Sequence, residues 1–203
     1  MAVTLAKGQG ISLKKSEYDL SKVVIGLGWD MKKQGFFSKL MGKGEYDLDV
    51  AAFLLDGQGR IANLSEDMAS SDIVFYNNLK HFSSAIWLTG DNRTGAGDGD
   101  DEQIIVRLND LSPQYQRIVF IVQIYNGIKN KQHFGEVDNA FIRAVDANGK
   151  EMVRFNLSTH QQYAGQCSLL FAELVRNGSH WDFNAIGESS PADSFVSWLQ
   201  RFQ

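Results

Sequence analysis

Apolar and polar residues alternate along most of this chain with the period of strands. Val3-Thr4-Leu5 and Ile11-Ser12-Leu13 alternate on either side of a turn at 7–10, predicting two short edge strands. Residues 22–29 are a β-rich run in which Gly26 and Gly28 predict a bulge or a close backbone approach. Residues 46–56 form a strand apolar on both faces except at its start. Asp47 and Asp49 share a face with Ala51, Phe53 and Leu55, while Tyr46, Leu48, Val50, Ala52 and Leu54 take the other. A turn at 56–59 follows. Residues 72–76, 85–88, 103–108 and 117–125 read as further strands, and Ser112-Pro113 opens a short helical turn between the last two. Residues 140–146 and 152–157 flank Asn148-Gly149, which predicts a hairpin with a type I′ turn. Residues 164–176 fit strand or helix, and 180–186 alternate again. Roughly ten short strands separated by turns predict a mainly β protein, a β-sandwich of two mostly antiparallel sheets with short helices.

The period then changes. Phe195, Trp198, Leu199 and Phe202 fall on one helix face, behind Ser190 as N-cap, Pro191 at N1 and Asp193 at N3. The expected organisation is a sandwich domain over 1–187 and a C-terminal amphipathic helix over 188–203, docked on the sandwich or on a partner. Residues 31–44 differ in texture: four lysines (Lys32, Lys33, Lys39, Lys43), no acid, and Phe36, Phe37, Leu40 and Met41. A basic, aromatic insertion of this kind suits a partner or a membrane surface, unless its apolar residues fold back onto the domain.

Charge singles out one loop. Residues 89–102 hold four glycines, and residues 91–102 hold five acids (Asp91, Asp98, Asp100, Asp101, Glu102) against one base, Arg93. The local net charge of −4 equals that of the whole chain. Two like charges about 4 Å apart repel by about 1 kcal/mol in water and about 4 kcal/mol near a protein surface. A solvated acidic turn is one outcome; a bound cation is the other. Hard oxygen donors on a glycine-rich loop suit Ca²⁺ better than Mg²⁺. Asp47 and Asp49, two apart on one strand face, are spaced to share a cation, and Asn77, Asn78 and Asn92 offer neutral oxygens. The loop is not an EF-hand, since Arg93 and Gly95 stand where ligands would be required.

Composition narrows the classes. At 203 residues, 43 % hydrophobic and 11 % aromatic, the chain can bury one sizeable core. It has no apolar run long enough to span a bilayer and no signal-peptide pattern at its start. The single cysteine, Cys167, fits a reducing cytosol and an apolar burial site. A pI near 5.5 without a basic stripe argues against nucleic acid. The four histidines, His81, His133, His160 and His180, lack metal-ligand spacing, and no base–nucleophile constellation is apparent.

Several segments together resemble the TerD family of tellurite-resistance and bacterial stress proteins. They are Gly26-Leu27-Gly28-Trp29-Asp30, Asp47-Leu48-Asp49 with 52–55, Phe75-Tyr76-Asn77-Asn78-Leu79, the loop 89–102, and Phe134-Gly135 followed by Ala140-Phe141-Ile142-Arg143. The resemblance runs from about residue 1 to 186; the 31–44 insertion and the tail after Gly187 look like additions. It implies a cytosolic β-sandwich that binds calcium, two ions, through the aspartate-rich segments and serves resistance to tellurite, phage or other stress. It joins the two acidic stretches into one expected site of Asp47, Asp49, Asp91, Asp98, Asp100, Asp101 and Glu102, with Asn77, Asn78 or Asn92 adding oxygens and Arg93 free to clamp a carboxylate. The expected function is a calcium-dependent binding or scaffold module with protein partners, other stress-resistance proteins among them. A calcium-dependent membrane-surface module and a metal-dependent phosphoesterase are the alternatives. Direct chemistry on tellurite ranks lowest, since one cysteine provides no redox couple.

Overall fold

The computed structural model describes residues 2–31, 46–65, 67, 70–89, 99–157 and 163–203. Among them are twelve strands: β1 Val3–Leu5, β2 Gly10–Leu13, β3 Val23–Met31, β4 Leu48–Leu55, β5 Ile73–Val74, β6 Ile86–Leu88, β7 Glu102–Val106, β8 Arg117–Ile124, β9 Val137–Val145, β10 Glu151–Asn156, β11 Ser168–Asn177 and β12 His180–Ser190. They form two six-stranded sheets, ordered β1-β10-β9-β3-β7-β6 and β2-β12-β11-β8-β4-β5. Every pairing is antiparallel except β1 with β10. The two strands expected at edges, β1 and β2, each close one sheet.

The main core lies between the sheets, where Ile25, Leu27, Val50, Leu54, Ile104, Val106, Phe120, Ile142 and Phe183 are buried together. A second cluster explains why β4 is apolar on both faces. Its outward residues Ala51, Phe53 and Leu55 pack with Val119, Ile121 and Leu170 under Phe195 and Trp198 of the C-terminal helix, Phe195–Arg201, and its C-cap Phe202. Burying a large apolar side chain contributes about 1.5–3 kcal/mol, so three such rings hold the helix to the sheet. Trp198 Nε1 donates to Ser168 Oγ at 2.9 Å, and Phe202 O accepts from Ile61 N at 2.7 Å. The helix docks on the sandwich, as one branch of the sequence expectation had it.

Three local expectations are corrected and one open alternative is resolved. The helix is capped by Ser194, whose side chain accepts from Val196 N. Ser190 instead ends β12 opposite Ser168, so the boundary expected after Gly187 falls inside a strand. The 164–176 ambiguity resolves as β11, whose first seven residues are all buried; burial on both faces erases alternation. The β9–β10 connection is not a type I′ turn, which needs positive φ at both central residues. Of Asn148 and Gly149 only Gly149 has it, at 79°. Asp146 organises the wider loop by accepting from Asn148 N at 3.0 Å and Lys150 N at 2.9 Å.

Candidate metal centre

Register places the two acidic stretches at one rim. Leu48 at the start of β4 lies opposite Ile124 at the end of β8, and Leu27 late in β3 lies opposite Glu102 at the start of β7. β4 and β7 belong to different sheets, yet Glu102 Oε2 accepts from Val50 N at 2.8 Å. That bond spans the sandwich and ends on the residue next to Asp49. It also satisfies a strand-edge N–H inside the protein, where an unpaired one would be costly.

Each acid has a distinct setting. Asp101 Oδ2 accepts from Trp29 N at 2.9 Å while Asp101 N donates to Leu27 O at 2.7 Å, so the loop's end is laced to β3. Asp49 is buried, and its Oδ2 accepts from Gln123 Nε2 at 3.2 Å. Asp47 is half-buried, and its carbonyl accepts from Tyr125 N at 2.8 Å. Asn78 is buried and spends its amide on Ile73 O at 2.6 Å, closing the turn from Phe75, whereas Asn77 is exposed. Asp91, Asn92 and Asp98, with Arg93, lie outside the described residues, as do residues 32–44.

Asp100 is engaged by protein cations and amides. Its side chain is 1 % exposed, with Arg143 Nε donating to Oδ1 at 2.7 Å and the Arg143 NH2 group to Oδ2 at 3.1 Å. Gln103 Nε2 adds a bond to Oδ2 at 3.2 Å. The hydrogen bonds to Asp100 push the Arg143 guanidinium up, against partial burial, and those to Glu151 add to the effect. Gly26 makes room: it sits opposite both Gln103 and Arg143, and any Cβ there would overlap the Asp100 carboxylate. The close approach expected at Gly26 and Gly28 is therefore real, and a Cβ on Gly28 would meet the Phe141 ring. Among the described residues Arg143 clamps a carboxylate of the loop; the clamp expected of Arg93 lies outside them. No sequence spacing singles out Arg143 or Gln123, because both come from strands distant in sequence.

Among the described residues no three His, Cys, Asp or Glu side chains are grouped closely enough to hold a metal. Elsewhere, His81 belongs to a buried lock. Its Nε2 lies 2.7 Å from Asp72 Oδ1, its Nδ1 accepts from Ser83 N at 3.2 Å, and Tyr115 OH donates to Asp72 Oδ1 at 2.7 Å. His180 pairs with Asp182 at 3.6 Å on the surface. His160 lies outside the described residues. Cys167 is buried, its thiol pushed up by that burial and donating to Gln132 O at 3.3 Å, which suits a packing residue. No helix among the described residues is long and apolar enough to cross a membrane.

Comparison with known proteins agrees with this architecture. A family model described as the TerD domain matches residues 1–201. The match takes in the C-terminal helix, so that helix is not an addition to the family's span. The chain is 58 % identical to tellurium resistance protein TerX of Serratia marcescens and 42 % identical to stress response protein SCP2 of Bacillus subtilis, over the full length of both chains in each case. It is 38 % identical to tellurium resistance protein TerD of Serratia marcescens, covering 93 % of this chain and 91 % of that one. These relatives are named for resistance and stress response, not for an enzymatic activity. Among solved structures, the Streptomyces coelicolor TerD homologue SCO6318 superposes with a TM-score of 0.65 at 21 % identity, covering 90 % of this chain and 98 % of that one, which speaks to the fold. A two-sheet sandwich with the acidic rim described above, matched by the family model along nearly its whole length, places this chain in the TerD family of tellurium-resistance and stress-response proteins.

Proposed function

We propose that this protein is a cytoplasmic, calcium-binding stress-response protein that works as a calcium-dependent binding or scaffold module for protein partners, other stress-resistance proteins among them, and not as an enzyme. The observation that carries the reading is the Glu102–Val50 bond, which ties the acidic loop to the strand that bears Asp49 and directly follows Asp47. The donors described at this rim are carboxylate and amide oxygens, a set that suits a hard divalent cation. Asp47, Asp49, Asp101 and Glu102, with Asp91 and Asp98 from the loop, are the residues that would hold the metal. Two ions are proposed from the family resemblance. Asp100 is a positioning residue, because both its oxygens already serve Arg143. The metal would supply charge neutralisation and loop order. The chain's own part is to hold the carboxylates at the rim through β3, β4 and β7.

Thermal unfolding in chelator, in Mg²⁺ and in Ca²⁺ tests this reading. Ligand at a hundred times its Kd stabilises a fold by about 2.7 kcal/mol, roughly 5–10 °C for a domain of this size. A saturating rise in Ca²⁺ well above that in Mg²⁺ is the expected result. Equal midpoints in all three would overturn it. Metal-dependent turnover of bis(p-nitrophenyl) phosphate would instead favour the phosphoesterase reading.

A further inference from the structure

His81, in the connection from β5 to β6, does more than hold Asp72. Its ring lies between a carboxylate and a hydroxyl: Nε2 is 2.7 Å from Asp72 Oδ1, and Nδ1 is 2.7 Å from Ser83 Oγ. The His81 and Asp72 side chains are wholly buried, whereas Ser83 is exposed. The neighbours fix the tautomer. Ser83 N donates to Nδ1 at 3.2 Å, so that nitrogen carries the lone pair and the ring proton sits on Nε2, facing the carboxylate. The Ser83 hydroxyl therefore donates to Nδ1, and its oxygen accepts from Ala85 N at 3.2 Å. Tyr115 OH donates to the same Asp72 oxygen at 2.7 Å, and burial together with that bond pushes the tyrosine hydroxyl up, which keeps it a donor. Ser84 has a φ of 60°, a left-handed conformation that costs a non-glycine residue about 1–2 kcal/mol. Its N–H donates to His81 O at 2.8 Å, so the turn that presents Ser83 closes back on the histidine.

We propose that Ser83 is a nucleophilic serine that takes up an acyl group from an activated ester, with His81 as its general base and Asp72 as the residue that positions that base. Carboxylate, imidazole and hydroxyl stand in the order that activates a serine, with the two ring nitrogens exchanging the roles they have in serine proteases. Holding the fold together needs only Asp72, His81 and Tyr115. The hydroxyl 2.7 Å away on an exposed turn adds a proton that the buried imidazole can take. In the step, Ser83 Oγ attacks the acyl carbon as its proton passes to His81 Nδ1. The bond from that carbon to the leaving oxygen breaks, and the leaving group takes the proton from Nδ1. The products are a Ser83 ester and one alcohol. Nε2 keeps its own proton throughout, and Asp72 stabilises the imidazolium formed in passing. The Ala85 N–H favours the negative charge that builds on Oγ. Phe82 is 57 % exposed, with its ring centroid 4.1 Å from that of His81, and offers the acyl group apolar surface beside Ser83. One acyl group per chain is a covalent mark, not turnover, and it requires no calcium.

The test is incubation of the whole chain with p-nitrophenyl acetate in chelator, following p-nitrophenolate release and mapping the acetylated peptides. Hydroxylamine separates a serine ester, which it cleaves, from an amide on lysine, which it leaves. The expected result is one hydroxylamine-labile acetyl group per chain, on Ser83, formed about a hundredfold faster than on the exposed Ser16 and Ser179 of the same chain. Ser83→Ala alters an exposed side chain, so it should fold and lose that acetyl group. His81→Gln, assayed at a temperature where its circular dichroism matches wild type, should slow acetylation of Ser83 about a hundredfold. Since a variant of a buried histidine can misfold, the ratio of Ser83 to Ser16 and Ser179 in the wild type is the decisive reading. Acetyl groups spread evenly over the three serines, labelling confined to lysines, or undiminished Ser83 labelling in folded His81→Gln overturns the proposal. Release that continues past one equivalent and is abolished by Ser83→Ala supports the nucleophile and overturns the non-enzymatic part of the functional reading instead. With calcium absent throughout, failure here leaves the calcium reading untouched.

Discussion

At the scale of single residues, Gly26, Asp100 and Arg143 act together. A methyl group on Gly26 would overlap the Asp100 carboxylate, so Gly26→Ala should cost about 1–3 kcal/mol as overpacking and lower the urea midpoint with an unchanged m-value. Arg143→Met leaves Asp100 in its closed site without a cation; the expected loss is about 3 kcal/mol, most of it recovered in the Asp100→Asn/Arg143→Met double variant. No recovery would mean that the pair does not act as a unit. The His81 lock gives a parallel case. Asp72 is wholly buried and its Oδ2 has no partner among the described residues, so His81 and Tyr115 hold it through one oxygen. His81→Phe should cost about 3 kcal/mol by the same measurement. Composition showed that carboxylates were crowded in one loop, but not that one of them was already answered. Asp100 and Arg143 meet only because β9 pairs with β3 in a register that sets Arg143 beside Gly26, and no local pattern carries that register.

At the scale of elements, the informative case is β4. Its double-sided apolarity was legible in the sequence, and the C-terminal helix is what its outer face required. Trp198→Ala removes a buried ring and its bond to Ser168; a loss of about 3–5 kcal/mol, with increased dye binding by the uncovered face, is the expected outcome. Ser190-Pro191 carries the usual helix-start signal, but pairing with β11 extends β12 through Ser190 and the cap passes to Ser194. Charge also binds neighbouring strands. Glu151 on β10 is held below its ordinary value of 4.5 chiefly by the hydrogen bond from Arg154, offset in part by burial and reinforced by Arg143. A carboxylate depressed in the folded state contributes stability that is complete above its ordinary value and is lost as pH falls through the lower folded value. Glu151→Gln should therefore lower stability at pH 7 and flatten its decline below about pH 4.5 in urea titrations taken at stepped pH.

At the scale of the molecule, the architecture brings two sequence-distant acidic stretches to one rim, and the Glu102 bond to Val50 joins them. Two sheets, their edge strands and the amphipathic tail were readable from periodicity because a strand with one buried face writes that face into alternation. β11 was not, since burial on both sides leaves no alternation to read. An aromatic groove between Phe75, Tyr76, Tyr125 and Phe195 was invisible for a different reason: its walls come from three separate segments that only the fold assembles.

The central claim is that those acids form one calcium site, and isothermal titration of metal-free protein with Ca²⁺ in excess Mg²⁺ addresses it directly. The comparison is wild type against Asp47→Asn/Asp49→Asn and against Glu102→Gln, which keeps an acceptor for Val50 N while removing a charge. The expected result is saturable binding in the wild type, loss in the double variant and about tenfold weakening in Glu102→Gln. Undiminished binding in the double variant would confine the ion to the loop, and absence of binding in the wild type would contradict the calcium account altogether.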